Sequence, residues 1–283
     1  NEPWSIRINL RRFYVTLDNG TQTHYRRVGN GAQVVLLHPS PLSSKFMEPL
    51  MASISKESLD VIAPDTPGYG NSDSVLENET DLSPYVNWLN DFFNALSLDK
   101  PVLYGSATGA QIAIEYARAH PNRIAGVVLD NAAHFEPAER EDIMSEYFPK
   151  LHPEEDGTHL KKVWEMASAM SQWFPWYKQD EKHRIGPSLD APATNAIAIE
   201  YLLAGSSYDR AYRAAFENED ARRVQDITCR VKVIRWEGSM LKAFSDRYDN
   251  YEWQENVEMV HCRGTIEARQ AAICKSILTI LKL

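Results

Sequence analysis

Pro101-Val102-Leu103-Tyr104-Gly105-Ser106-Ala107-Thr108-Gly109 is the stretch on which the reading of this chain turns. Val102 to Tyr104 is a short apolar run of strand type, and Gln111 to His120 reads as a helix, so the residues between them must bend the chain sharply from strand into helix. Glycines two positions either side of a central residue suit a bend whose strand and helix backbones pass too close for a β-carbon. That register puts Ala107 at the apex, in a strained conformation. A methyl group there cannot form a covalent acyl intermediate.

Outward from this turn, strand and helix patterns alternate. Arg12 to Leu17 and Gln22 to Val28 read as two strands joined by Asp18-Asn19-Gly20, whose Asn-Gly step favours a hairpin turn with positive φ. Val34 to Leu37 follows as a strand, then a helix near Ser44 to Ser55, a strand at Val61 to Ala63 and a helix from about Pro84 to Leu96. Ser83 is the expected N-cap of that last helix, and Val86, Leu89, Phe93 and Leu96 form its buried stripe. Ile124 to Leu129 is apolar nearly throughout, as a strand covered on both faces should be. The pattern predicts an α/β fold with a parallel, doubly wound sheet.

Between Phe135 and Ala221 the alternation stops. Helical patterns at Arg140 to Leu151, Thr158 to Trp173 and Thr194 to Leu203 predict a helical insertion, a cap over 135–221 on a core of 1–134 and 222–283. Tyr147, Phe148, Trp164, Trp173, Phe174, Trp176 and Tyr177 within it either cover an apolar pocket or pack the cap's own interior. Strands at Val231 to Trp236 and Val257 to His261, and a helix over Ile266 to Leu281, complete the core.

A hydrophobic share of 43% and a charged share of 24% are ordinary for a globular chain and exclude disorder and fibres. The net charge of −9, with no basic run, excludes a nucleic-acid footprint. Cys229, Cys262 and Cys274 are an odd, sparse set without metal-like spacing and read as free thiols of a reducing compartment. Asn1 to Ser5 lacks the layout of a signal peptide, and no apolar run approaches the ~20 residues that span a bilayer, so the expected location is cytoplasmic, away from membranes. There is no Walker loop, and Gly68-Tyr69-Gly70 lacks the third glycine of a dinucleotide turn. No metal and no cofactor is expected.

Three segments together give the chain a resemblance to the α/β-hydrolase superfamily, in its capped branch. Gly105 to Gly109 resembles the nucleophile elbow. Leu37-His38-Pro39-Ser40-Pro41 resembles the loop after strand three, and Ala63 to Ser72 the D-x-P-G-x-G-x-S segment after strand four. The resemblance implies an eight-stranded, mostly parallel sheet with helices on both faces and the cap inserted after strand six. It also implies a Ser-His-Asp triad, whose three positions here carry other residues. Ala107 stands for the nucleophile, Ser239 or Met240 for the acid after Trp236-Glu237-Gly238, and Thr265 for the histidine after Gly264. Ser106 is the alternative nucleophile, His261 the alternative histidine and Glu237 the alternative carboxylate.

What the resemblance keeps is a pair of oxyanion-binding amides, which map to Ser40 and Thr108. It places His38, Ser40, Ala107, Thr108, Trp236 and Thr265 around the substrate. Asp130 leaves strand six at the edge where such sheets bind ligands, and His134 follows at the entry to the cap. An imidazole oriented by a carboxylate would serve there as general base; the competing reading makes His134 a hinge and Asp130 a turn acceptor. The expected function is cofactor-free chemistry on a small, largely apolar carbonyl compound by oxyanion stabilisation and proton transfer. The alternative is a non-catalytic descendant that binds a small ligand or a protein partner, as monomer or homodimer.

Overall fold

A computed structural model describes residues 9–75 and 80–283, so the reading of Asn1 to Ser5 lies outside the described residues. Eight strands form one sheet: β1 (Arg11–Thr16), β2 (Gln22–Val28), β3 (Ala32–Leu37), β4 (Leu59–Pro64), β5 (Val102–Ser106), β6 (Gly126–Asp130), β7 (Arg230–Trp236) and β8 (Val257–Cys262). Their order is β1-β2-β4-β3-β5-β6-β7-β8. The pairs β1/β2 and β2/β4 are antiparallel. From β4 through β3 to β8 every pair is parallel. The hairpin between β1 and β2 turns with Gly20 at φ 85°.

The central strands are apolar on both faces because helices cover both. Val35, Leu37, Leu103, Val127 and Val233 point to the layer of α2 (Ser83–Ala95) and α3 (Thr108–Ala119). Their neighbours Val34, Leu36, Val102, Val128 and Ile234 point to the layer of α1 (Glu48–Ile54) and the C-terminal helix Ile266–Leu281. This two-residue alternation is the pleat of a strand with a core on each side. Ser83 is not the cap of α2: Leu82 holds that position without a side-chain bond, and the Ser83 N–H is satisfied instead by Asp81 Oδ1 at 2.8 Å.

Between β6 and β7 run α4 (Pro137–Glu146), α5 (Thr158–Met170), α6 (Ala191–Ala204) and α7 (Arg210–Asn218). The last of these has no counterpart among the expected helices. The insertion has its own apolar centre, in which Phe135, Tyr147, Phe148, Phe174, Tyr212 and Phe216 stack. Most of its aromatics therefore pack the insertion itself, and Trp164 is exposed. After β7 come the short α8 (Lys242–Ser245) and, following β8, α9 (Ile266–Leu281). All three cysteines are free thiols. Among the described residues no helix is long and apolar enough to cross a membrane.

Candidate active site

The bend between β5 and α3 has the strained geometry its glycines foretell. Ala107 sits at φ 49°, ψ −113°, outside the regions an L-residue adopts without cost. A β-carbon on Gly105 would lie 2.2 Å from the Gly109 carbonyl oxygen, and one on Gly109 would lie 2.4 Å from that of Leu37. Both contacts are with backbone, so neither glycine tolerates replacement without moving a central strand or the helix. The Ala107 N–H donates to Asp130 O at 3.0 Å, tying the apex to the end of β6.

The loop after β3 is held by the segment after β4. His38 is buried; its Nε2 accepts the Thr66 N–H at 2.9 Å and its Nδ1 faces Pro39 O at 3.0 Å. The proton therefore sits on Nδ1, and burial lowers the pKa of the ring, which favours this neutral form. Asp65 accepts from Ser44 N (2.7 Å), Asn71 N (2.9 Å) and His24 Nδ1 (2.8 Å). Burial pushes its carboxyl up, but these bonds outweigh it and hold the group at about 2.

Above the apex lies a cavity of about 230 Å³. Ser40, Ala107, Thr108 and Asn131 form its floor at the strand ends, and Tyr147, Phe174, Tyr212, Phe216 and Glu219 come from the insertion and the stretch just after it. The Oγ1 of Thr108 is buried in this floor without a hydrogen-bond partner among the described residues, and the Oγ of Ser40 has the Tyr69 hydroxyl beside it. The Tyr69 hydroxyl, which neighbours Ser40, spends its proton on Tyr208 O at 2.6 Å. Asn131, at φ 51°, donates from Nδ2 to Ser106 Oγ (3.3 Å) and accepts from Ser239 Oγ (2.7 Å), so the ends of β5, β6 and β7 are stitched together under the cavity.

Of the expected site residues, Ser40, Ala107 and Thr108 meet at the cavity, as does Met240 from the expected acid position, whereas His38, Trp236, Thr265, Asp130 and His134 do not. His38 uses both ring nitrogens on its own loop and the neighbouring one. Trp236 donates from Nε1 to Gly264 O (3.0 Å) and lies under the Arg269 guanidinium, 5.1 Å from its ring centroid. Thr265 is exposed at the start of α9. Neither Trp236 nor Thr265 lines the cavity.

Asp130 and His134 are not a pair. The Asp130 carboxylate takes the Tyr104 hydroxyl (2.7 Å) and the Arg269 Nε (2.9 Å), beneath the sheet's end. His134 Nδ1 accepts the Ala221 N–H at 3.1 Å, and its backbone carbonyl accepts from Arg247 at 2.9 Å. His134 thus ties the two ends of the insertion together, and the carboxylate and imidazole are committed to different neighbours. The alternatives are also placed away from the cavity: His261 is exposed, 3.7 Å from Asp249, and Glu237 is exposed and paired with Arg263 at 3.0 Å. Ser106 does line the cavity, but as the acceptor for Asn131 rather than at the apex.

Glu219 and Asn131 escaped the sequence reading. Glu219 follows α7 in the run Asn218-Glu219-Asp220, which has the look of a solvated acidic turn, yet it is 4% exposed. Burial raises its pKa well above the ordinary carboxylate range, against the opposing pull of the Ala133 N–H and of Arg140. The other ionisable groups of the wall are Tyr147 and Tyr212, whose hydroxyls lie 3.0 Å apart and are kept protonated by burial.

The family description "alpha/beta hydrolase fold" matches residues 33–262. This chain belongs to the alpha/beta hydrolase fold family. Within that family, it is similar to haloalkane dehalogenase 1 of Mycobacterium tuberculosis, 34% identical over 100 residues, 35% of this chain and 33% of the relative. It is also similar to 2-hydroxy-6-oxononadienedioate/2-hydroxy-6-oxononatrienedioate hydrolase 2 of Pseudomonas putida, 30% identical over 116 residues, 38% and 39% of the two chains. The matched stretch spans less than half the length of these curated relatives. Among solved structures, an epoxide hydrolase from Vigna radiata superimposes with a TM-score of 0.71 at 17% identity, over 99% of both chains. At that identity the likeness is one of fold.

Proposed function

We propose that this alpha/beta hydrolase fold protein takes a small, largely apolar carbonyl compound beneath its helical insertion and handles it without a covalent intermediate and without a cofactor. The carbonyl oxygen rests against the amides of Ser40 and Thr108, at the N-terminal end of α3, where the helix dipole favours developing negative charge. The observation that carries this reading is the elbow itself: a strained apex bearing only a methyl group, beneath a cavity walled largely by apolar and aromatic side chains. Positioning and oxyanion stabilisation leave appreciable catalysis even where a triad is missing, and an enolate-forming step needs no acyl-enzyme. The hydrolase activities of the matched relatives support a small-molecule substrate, and three free thiols suit a reducing compartment such as the cytoplasm.

The test combines labelling with turnover. A fluorophosphonate probe is expected to leave both the native chain and Ala107→Ser unlabelled, because among the described residues no imidazole lines the cavity to activate a hydroxyl. A panel of aryl esters, lactones, ketones and β-keto acids is expected to yield at least one compound that is bound and converted. Stoichiometric labelling of the native protein would overturn the reading. The same lack of an imidazole favours a second reading, a binding protein that retains the pocket alone; saturable binding with no turnover across the panel selects it.

A further inference from the structure

The hydrogen bonds of Glu219 distinguish its two oxygens. Its Oε2 accepts the Ala133 N–H at 2.7 Å and the Gln111 side-chain amide at 3.0 Å. Gln111 is oriented by its own neighbour: its Oε1 accepts from Asn218 Nδ2 at 3.0 Å, which leaves its Nε2 to donate. Two donors converge on Oε2, so Oε2 is the carbonyl-like oxygen and the proton of the neutral acid belongs to Oε1. Oε1 has no hydrogen-bond partner among the described residues, and Glu219 forms part of the cavity wall.

Burial outweighs the pull of the Ala133 N–H and of Arg140 toward the carboxylate. No lysine, arginine or histidine lines the cavity. Arg140 spends its guanidinium on the main-chain carbonyls of Phe135, Phe216 and Glu219. In the neutral form that burial favours, a carboxyl with one oxygen taken by donors keeps its O–H on the other, which here belongs to a residue of the cavity wall. Thr108, in the floor of the same cavity, lies on a different element, at the start of α3.

We propose that Glu219 Oε1–H is a second ligand-directed donor, so that the cavity selects apolar compounds carrying two acceptor oxygens, one for the Ser40/Thr108 end and one for Glu219. This rests on the carbonyl-binding reading above and narrows it. β-Keto esters, whose two carbonyl oxygens sit on different carbons, belong to the class; monofunctional ketones, simple esters and lactones, with one strong acceptor each, do not. Glu219 acts here by contact with the ligand and needs no proton transfer.

Calorimetric titration with ethyl benzoylacetate and with butyrophenone, similar apolar probes that differ in acceptor count, tests it. The native chain is expected to bind the keto ester about fivefold to tenfold more tightly, the worth of one buried hydrogen bond. Glu219→Gln is expected to keep that preference, because its amide oxygen can accept from Ala133 and Gln111 while its NH₂ faces the cavity. Glu219→Leu is expected to lose it; where Glu219→Leu does not fold, the native and Glu219→Gln comparison carries the test. Equal affinity of the native chain for both probes, loss of the preference in folded Glu219→Gln, or its survival in folded Glu219→Leu overturns the donor role while leaving the carbonyl-binding reading in place. Binding of neither probe overturns both.

Discussion

Thr108→Val separates the needs of the fold from those of the site. Thr108 is 2% exposed and its Oγ1 has no partner, while its neighbour Ala107 caps α3 without any side-chain bond. The hydroxyl therefore contributes no intramolecular bond, and leaving a buried hydroxyl unmet costs about 1–3 kcal/mol. The expected cost lies at the lower end, about 1 kcal/mol. Valine has nearly the same shape and the same branching, so the substitution removes that cost and little else. Urea denaturation should show a gain of about 1 kcal/mol, and thermal unfolding a rise of roughly 2–4 °C for a chain of this size. Binding of a carbonyl ligand should change by less than about twofold, because the ligand oxygen is proposed to rest on the Thr108 amide, which valine keeps, and the hydroxyl is buried. The same substitution should thus stabilise the protein and leave its ligand site in place. A loss of stability of about 1 kcal/mol or more would refute the reading of this hydroxyl as unmet, and a loss of affinity of about fivefold would refute the assignment of the ligand to the amide.

Other consequences are equally direct. Gly109→Ala should destabilise the protein by about 2 kcal/mol by urea denaturation, even though alanine favours helix, because the new β-carbon meets the Leu37 carbonyl at 2.4 Å. Arg269→Met leaves Asp130, 1% exposed, with only the Tyr104 hydroxyl; a loss of about 3 kcal/mol or more is expected, and adding Asp130→Asn should restore much of it. Asp65 is held at about 2, below its unfolded value near 4, so its contribution is complete above pH 4 and is lost as the pH falls from 4 to 2. That contribution is worth about 2 kcal/mol, and Asp65→Asn should flatten the fall in urea midpoint over this interval.

Backbone requirements made the fold legible in the sequence. Gly105 and Gly109 are needed because a β-carbon at either collides with main chain, and that need announces the elbow wherever it occurs. Alternating apolar runs such as Val34 to Leu37 are forced by a pleat that faces two cores. By contrast, the helix of Arg210–Asn218 was missed. Its stretch carries many charges, and its apolar stripe acquires meaning only when it packs on α3 and the insertion's aromatics.

The sequence by itself determined the order of the strands along the chain, the register of the strained bend and the bare methyl at its summit, since each depends on residues a few positions apart. Only the tertiary structure decided which side chains share the cavity. Asp130 turned to Arg269, 139 residues away in the chain, rather than to His134 four residues on, and His134 turned to the far end of the insertion. Glu219 entered the wall although its neighbours in sequence are polar. The direction of a side chain at a strand's end is set by the helices that pack across it, and that packing joins segments whose separation along the chain carries no local signal.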